Sequence, residues 1–142
     1  MNVGDILRRK HARVVTVRMN ETGAIAAQLM RTADISALVV TDVCDTEGNV
    51  TAGMISERDV VRAVAEHGAA ALTQKIANLI SVQRLISCHS SDSLDHVRHL
   101  MNSNHIRHVP VIDDYTLIGV VSSRDISTAF EPGANKPVPV SA

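Results

Sequence analysis

Gly53-Met54-Ile55-Ser56-Glu57-Arg58-Asp59 and Gly119-Val120-Val121-Ser122-Ser123-Arg124-Asp125 carry one pattern twice, 66 positions apart. In each, apolar residues of strand character run into a serine, and an aspartate follows three positions later. A serine at the start of a helix caps its free N–H groups, and an acidic residue at the third helical position reaches back to the cap. The pattern therefore predicts a strand, a tight turn and a helix at both places. Working outward, Leu29-Met30 matches Leu100-Met101, and Ile35, Val40 and Asp42 match Ile106, Val111 and Asp113, at a spacing of 71. The spacing falls by five between these matches and the serine segments. The first copy thus carries five extra residues between Asp42 and Gly53, where Glu47-Gly48-Asn49 reads as a turn.

Each copy reads as β-α-β-β-α. Val14 to Val17 and Leu85 to Cys88 are short extended segments. Thr22 and Ser93 are helix caps, and Ile25, Ala26, Leu29, Met30 and Ala33, like Leu94, Val97, Leu100 and Met101, follow helical spacing. Two strands follow, Ala37 to Thr41 and Val50 to Ile55, matched by Val109 to Ile112 and Leu117 to Val121. A second helix starts at Ser56 or Ser122, and the first of these stops at Gly68. A short apolar lead precedes each copy, Val3 to Leu7 and Ile76 to Ile80. One such unit makes a marginal core alone, so the reading is an α/β (α+β) fold of two tandem repeats packed with pseudo-two-fold symmetry, creating two related clefts. Residues 1–70 form repeat 1, 71–130 repeat 2, and 131–142, with three of the four prolines, a flexible tail.

Composition excludes several functions. The 142 residues are 45% apolar and 20% charged with a net charge of −1, too apolar for disorder and too neutral for the footprint of a duplex-DNA binder. One Tyr, one Phe and no Trp leave no aromatic platform for stacking bases, so a ring-shaped ligand has to lie on aliphatic side chains and backbone. No apolar run reaches the roughly 20 residues of a membrane span. The first ten residues lack a signal-peptide stretch, which makes the expected location cytoplasmic. Cys44 and Cys88 lie far apart and read as reduced, structural thiols.

The repeated unit, the string Ile106-Arg107-His108-Val109-Pro110-Val111 and the paired Gly-x-x-Ser-x-Arg-Asp segments resemble a cystathionine β-synthase (CBS) domain pair, or Bateman module, over residues 3 to 130. The resemblance implies regulatory binding of AMP, ADP or ATP, in some members NAD or S-adenosylmethionine, usually in a homodimer, with no catalysis and no required cofactor. Carried over by position, it implies ribose-binding aspartates at Asp59 and Asp125 and hydroxyls near phosphate or ribose at Ser56 and Ser122. It places the polar residues of the first strand at Thr16 and Ser87, and a basic pair facing phosphates at Arg107 and His108. Arg58 and Arg124 stand beside the aspartates. The expected better phosphate site combines Ser56, Arg58, Asp59, Arg107 and His108. The other has Ser122, Arg124 and Asp125 but Ser36 and Ala37 where its basic pair would stand. The chain departs from the family pattern at Arg18-Met19 and at Gly23, where an apolar residue usually opens the helix.

Three other constellations compete. Five of the seven histidines fall between His89 and His108, and His96 and His99 are spaced to share a metal, but no ligand set is completed at a usual spacing, so no metal is expected. Arg8-Arg9-Lys10-His11-Ala12-Arg13 reads as a solvated basic linker that could also reach a ligand phosphate, and nucleic acid is not an expected partner. Neither serine sits in a nucleophile elbow, and neither has a histidine partner by spacing. The expected protein is thus a stand-alone regulatory module. It signals by conformational change to an unidentified target protein, with no membrane partner. The alternative is a structural interaction module without a nucleotide.

Overall fold

The computed structural model describes residues 1–10, 14–44, 48–80 and 85–130. The expected tail, His11 to Arg13 of the basic run and Glu47 of the expected turn lie outside them. Helix α1 (Val3–Arg9) is followed by β1 (Thr16–Arg18), α2 (Gly23–Ala33), β2 (Ala37–Cys44), β3 (Gly48–Ser56) and α3 (Glu57–His67). After a 3-10 turn at Gly68–Thr73 come α4 (Ile76–Leu79), α5 (Leu94–Asn104), β4 (His108–Asp113), β5 (Thr116–Ser122) and α6 (Ser123–Ala129). The mixed α/β architecture and its duplication are as the sequence implies.

The duplication extends to irregularities. Strands β2 and β3 pair antiparallel with a bulge between Val40 and Thr41; β4 and β5 do the same with a bulge between Val111 and Ile112, 71 positions on. Helices α2 and α5 both end on a non-glycine residue in the left-handed region, Asp34 and His105, each with φ 54°. All four expected caps form: Thr22, Ser56, Ser93 and Ser122 each accept a backbone N–H from three residues on.

Two expectations need correction. Leu85 to Cys88 does not form a full strand: its counterpart β1 pairs parallel with β2 over three residues, whereas here only Cys88 bridges Val111. The Cys88 N–H donates to the Pro110 carbonyl and the Cys88 carbonyl accepts from Ile112 N–H. Beyond it, Asp113 accepts from the Ser90 N–H and hydroxyl, and Asp92 accepts from the His89 N–H, turning the chain off the sheet. Gly48 and Asn49, which read as turn residues, instead begin β3, paired with Cys44 and Val43.

The chain divides into two compact units that interleave with the repeats. One contains residues 14–85. Its core is Val17, Ala26, Met30, Leu38, Val40, Ile55 and Ile76, so the lead of the second repeat is buried with the first. The other contains the N-terminal segment together with the chain from Ile86 onward. Val3 and Ile6 of α1 pack there with Cys88, Leu94, Val97, Met101, Val109, Val111, Val121 and Ile126. The Val3 N–H donates to the Asp92 carbonyl and the Gly4 N–H to the Ser90 carbonyl, which fixes the lead across the start of the second repeat. Burial of Val3 and Ile6 contributes roughly 1.5–3 kcal/mol each. Among the described residues, no helix is long and apolar enough to cross a membrane.

Candidate functional site

At the end of β3 the backbone is extended at Ser56 and then enters α3. The Asp59 N–H donates to Ser56 Oγ at 3.3 Å, while Asp59 Oδ2 accepts from the Ser56 N–H at 2.8 Å and from its hydroxyl at 3.0 Å. In the second repeat the Asp125 N–H donates to Ser122 Oγ at 3.1 Å and Asp125 Oδ2 accepts from the Ser122 N–H at 2.8 Å. Both turns are complete capping boxes. In both, one oxygen of the carboxylate is spoken for and Oδ1 has no hydrogen-bond partner among the described residues. Each carboxylate is therefore half-buried, oriented by its own helix, and able to accept hydrogen bonds through its second oxygen.

The sheets supply the surroundings. Alternation along β2 and β3 sends Leu38, Val40 and Ile55 to the helix-packed core. Thr16, Val39 and Met54 then form a cross-strand row on the opposite face, next to the Ala37–Ser56 pair. Thr16 is exposed there, whereas Val39 is buried. In the second unit Pro110 opposes Val120 and His108 opposes Ser122, the same positions of the repeat. Each turn thus adjoins an aliphatic pair, Val39 and Met54 or Pro110 and Val120. Ser87 is exposed, one residue before the Cys88 bridge.

The basic residues are placed unequally. Arg58 and Arg124 are exposed in the first turns of α3 and α6. Arg107 is exposed, and its carbonyl accepts from the Ser123 N–H at 2.8 Å, so Arg107 and His108 lie beside the serine turn of their own repeat. Ser36 does the same for Glu57 in the first repeat, at 3.0 Å. Ser56, Arg58 and Asp59 belong to the unit of residues 14–85, Arg107 and His108 to the other.

Sequence reasoning read Lys10 as part of a solvated basic run and missed its partner. Its ammonium donates to Asp125 Oδ2 at 2.8 Å and to the Val120 carbonyl at 3.0 Å. A run of cations looks like solvated chain, and nothing local to Lys10 signals a partner 115 positions away. The glycines that open the two segments are packed unequally. A Cβ on Gly119 would come within 2.7 Å of Leu7 Cδ2, so the space there is filled by the N-terminal lead; a Cβ on Gly53 would make an ordinary contact of 3.5 Å with Ile80.

Two other groups are electrostatically distinctive. Hydrogen bonds from the Ser90 hydroxyl and N–H hold the Asp113 carboxyl below the usual carboxylate range. Burial, helped by Asp92 and Asp113, pushes the Cys88 thiol up to about 12. Among the described residues no three His, Cys, Asp or Glu side chains group to hold a metal ion. His99 Nε2 instead lies 3.4 Å from Ser103 Oγ on its own helix.

The CBS domain family model matches residues 3–66 and 77–131. Residues of the chain are 33% identical, over 105 positions, to the "CBS domain-containing protein CBSX3, mitochondrial" of Arabidopsis thaliana, covering 73% of this chain and 50% of that protein. They are 30% identical over 117 positions to the L-aspartate semialdehyde sulfurtransferase of Methanocaldococcus jannaschii, covering 82% of this chain and 21% of that one. The chain therefore spans half or less of the length of these curated relatives. Among solved structures, the CBS-domain containing protein ATU1752 of Agrobacterium tumefaciens superposes with a TM-score of 0.81 at 35% identity, over 90% of this chain and 92% of that one. The CBS domain pair of protein MJ0100, solved with 5-methylthioadenosine and S-adenosyl-L-methionine, superposes with a TM-score of 0.75 at 28% identity, over 92% and 95%.

Proposed function

The chain belongs to the CBS domain family, and on that premise we propose that it is a regulatory module, not an enzyme, that binds adenosine nucleotides at its two serine–aspartate turns. The observation that carries this reading is Oδ1 of Asp59 and of Asp125, without a hydrogen-bond partner among the described residues, on a carboxylate already oriented by its cap. Such an acceptor takes ribose hydroxyls without first having to be ordered. Adenine then lies on the aliphatic row, Val39 with Met54 or Pro110 with Val120, consistent with a chain that has no aromatic shelf. Ser56, Ser122, Arg58 and Arg124 serve the phosphates, Thr16 and Ser87 the ligand's polar edge, and Arg107, with His108 beside it, adds positive charge. The ligand is AMP, ADP, ATP or NAD, and it acts by favouring one of several pre-existing arrangements, read by a target protein or within a homodimer in the cytoplasm. The solved relative with two adenosine-type ligands supports the ligand class.

The complete capping boxes favour a second reading, since they account for both serines and both aspartates without any ligand. The chain is then a structural interaction module. Thermal-shift titration against AMP, ADP, ATP, NAD and S-adenosylmethionine separates the two. The first reading expects saturable stabilisation of roughly 5–10 °C at a hundredfold excess over Kd, reduced in Asp59→Ala or Asp125→Ala. No shift with any of the five ligands establishes the second.

A further inference from the structure

Asp59 and Asp125 occupy equivalent positions, yet their charge environments differ. Among the described residues no cation contacts Asp59, which is engaged by Ser56 alone. Asp125 carries the Lys10 ammonium on Oδ2 as well as the Ser122 N–H. This ion pair is half-buried, with side-chain exposures of 29% and 21%, so solvent screens it less than a surface pair. Lys10 is held in place by the helix before it: Leu7 fills the space above Gly119, and the Lys10 N–H donates to the Ile6 carbonyl at 2.9 Å. An ammonium has three N–H donors. Two are used, on Asp125 and on the Val120 carbonyl at 3.0 Å, and the third has no partner among the described residues.

We propose that Lys10 sets the charge preference of the second repeat's turn. It neutralises Asp125 so that this turn accepts phosphate-bearing nucleosides. The inference rests on the adenosine-ligand reading above. The physics is that of any anionic ligand approaching an anionic acceptor. Bare Asp125 would repel a phosphate one sugar away, whereas the Lys10–Asp125 pair presents no net charge and one spare donor. Phosphate-free nucleosides feel neither effect. Lys10 thus acts as a positioning and specificity-determining residue, supplied by a segment far from the turn in sequence.

The test is calorimetric titration of the full chain with adenosine, AMP and ATP at two salt concentrations. Wild type is compared with Lys10→Met, Lys10→Arg and Asp59→Asn. Lys10→Met keeps most of the buried stem and removes the charge. It is expected to weaken AMP and ATP by about tenfold at one of two sites, to leave adenosine unchanged, and to flatten the salt dependence; Lys10→Arg restores all three properties. The phosphate-ligand binding that Lys10→Met weakens is expected to persist in Asp59→Asn. If Lys10→Met weakens adenosine and ATP alike, Lys10 is a packing residue and the inference fails while nucleotide binding stands. Unchanged ATP binding in Lys10→Met has the same meaning. Absence of binding of all three ligands to the wild type overturns both the inference and the reading beneath it.

Discussion

Asp59 and Asp125 each hold a helix end with one oxygen, which makes two roles separable at a single residue. Asp59→Asn keeps an acceptor for the Ser56 N–H and removes the charge, whereas Asp59→Ala removes both. Loss of the reciprocal cap costs about 1 kcal/mol. Chemical denaturation is therefore expected to show Asp59→Ala less stable by that amount and Asp59→Asn close to wild type, while both lose adenosine ligand at the first turn. Equal stability of the two variants and wild type would mean that the cap contributes nothing. Cys88 offers a second residue-level check. With its thiol pushed up to about 12 by burial, it stays protonated well above neutrality. In a Cys44→Ser background, native Cys88 is expected to alkylate at pH 8 at least about a hundredfold more slowly than after unfolding. Linkage has the corresponding sign. The folded state keeps the proton longer than the unfolded chain, so this contribution is intact below the usual thiol value of 9.0 and is lost as pH rises toward about 12. Asp113 works in the opposite direction. Its depressed carboxyl favours the fold above the ordinary carboxylate range and ceases to do so as pH falls through its folded value, a dependence that Asp113→Asn should remove from an acid titration. At this scale the sequence was readable where chemistry is local. Ser56 with Asp59 and Ser122 with Asp125 are three positions apart, and the cap follows from spacing. Lys10 on Asp125 could not be read, because only the folded path of α1 brings them together.

The elements were legible through period and punctuation, and the exceptions have physical reasons. Gly23 opens α2 because nothing larger fits: a Cβ there would stand 2.7 Å from the Ala71 carbonyl oxygen and 2.8 Å from Leu79 Cδ1. The departure from the family's apolar residue at this position is thus matched by a close approach of the 3-10 turn and α4. Gly23→Ala is expected to lower stability by about 1–3 kcal/mol, since a backbone atom has to move. Gly119→Ala should cost less, because its neighbour is the flexible end of Leu7. A denaturation midpoint that ranks the two the other way round contradicts this account. Leu85 to Cys88 reads as a short extended segment because its apolar residues suit a strand, and of these residues Cys88 bridges the sheet, at Val111. Gly48 and Asn49 were overread as a turn because strands extend farther in the first repeat than their composition suggests.

At the scale of the molecule, the repeat in sequence and the compact unit in space are different things. Each lead is buried with the other repeat, Val3 and Ile6 with the second and Ile76 with the first. Contiguity suggested units cut at the repeat boundary, and apolar spacing alone carries no information about which core receives a short helix. Removing residues 1–9 therefore strips Val3 and Ile6 from the core of the second repeat. The expected loss is roughly 3–6 kcal/mol, seen as unfolding of residues beyond Ile86 in hydrogen exchange while 14–85 retain protection. The functional account stands at this scale too, since it needs both turns as ligand acceptors in the intact chain. Its most direct test is calorimetric titration of the full chain with AMP, ADP, ATP, NAD and S-adenosylmethionine, with wild type beside the double variant Asp59→Asn, Asp125→Asn. The account predicts saturable binding of at least one ligand at up to two sites per chain and none to the folded double variant. Undiminished binding to that variant, or none to the wild type, would contradict it.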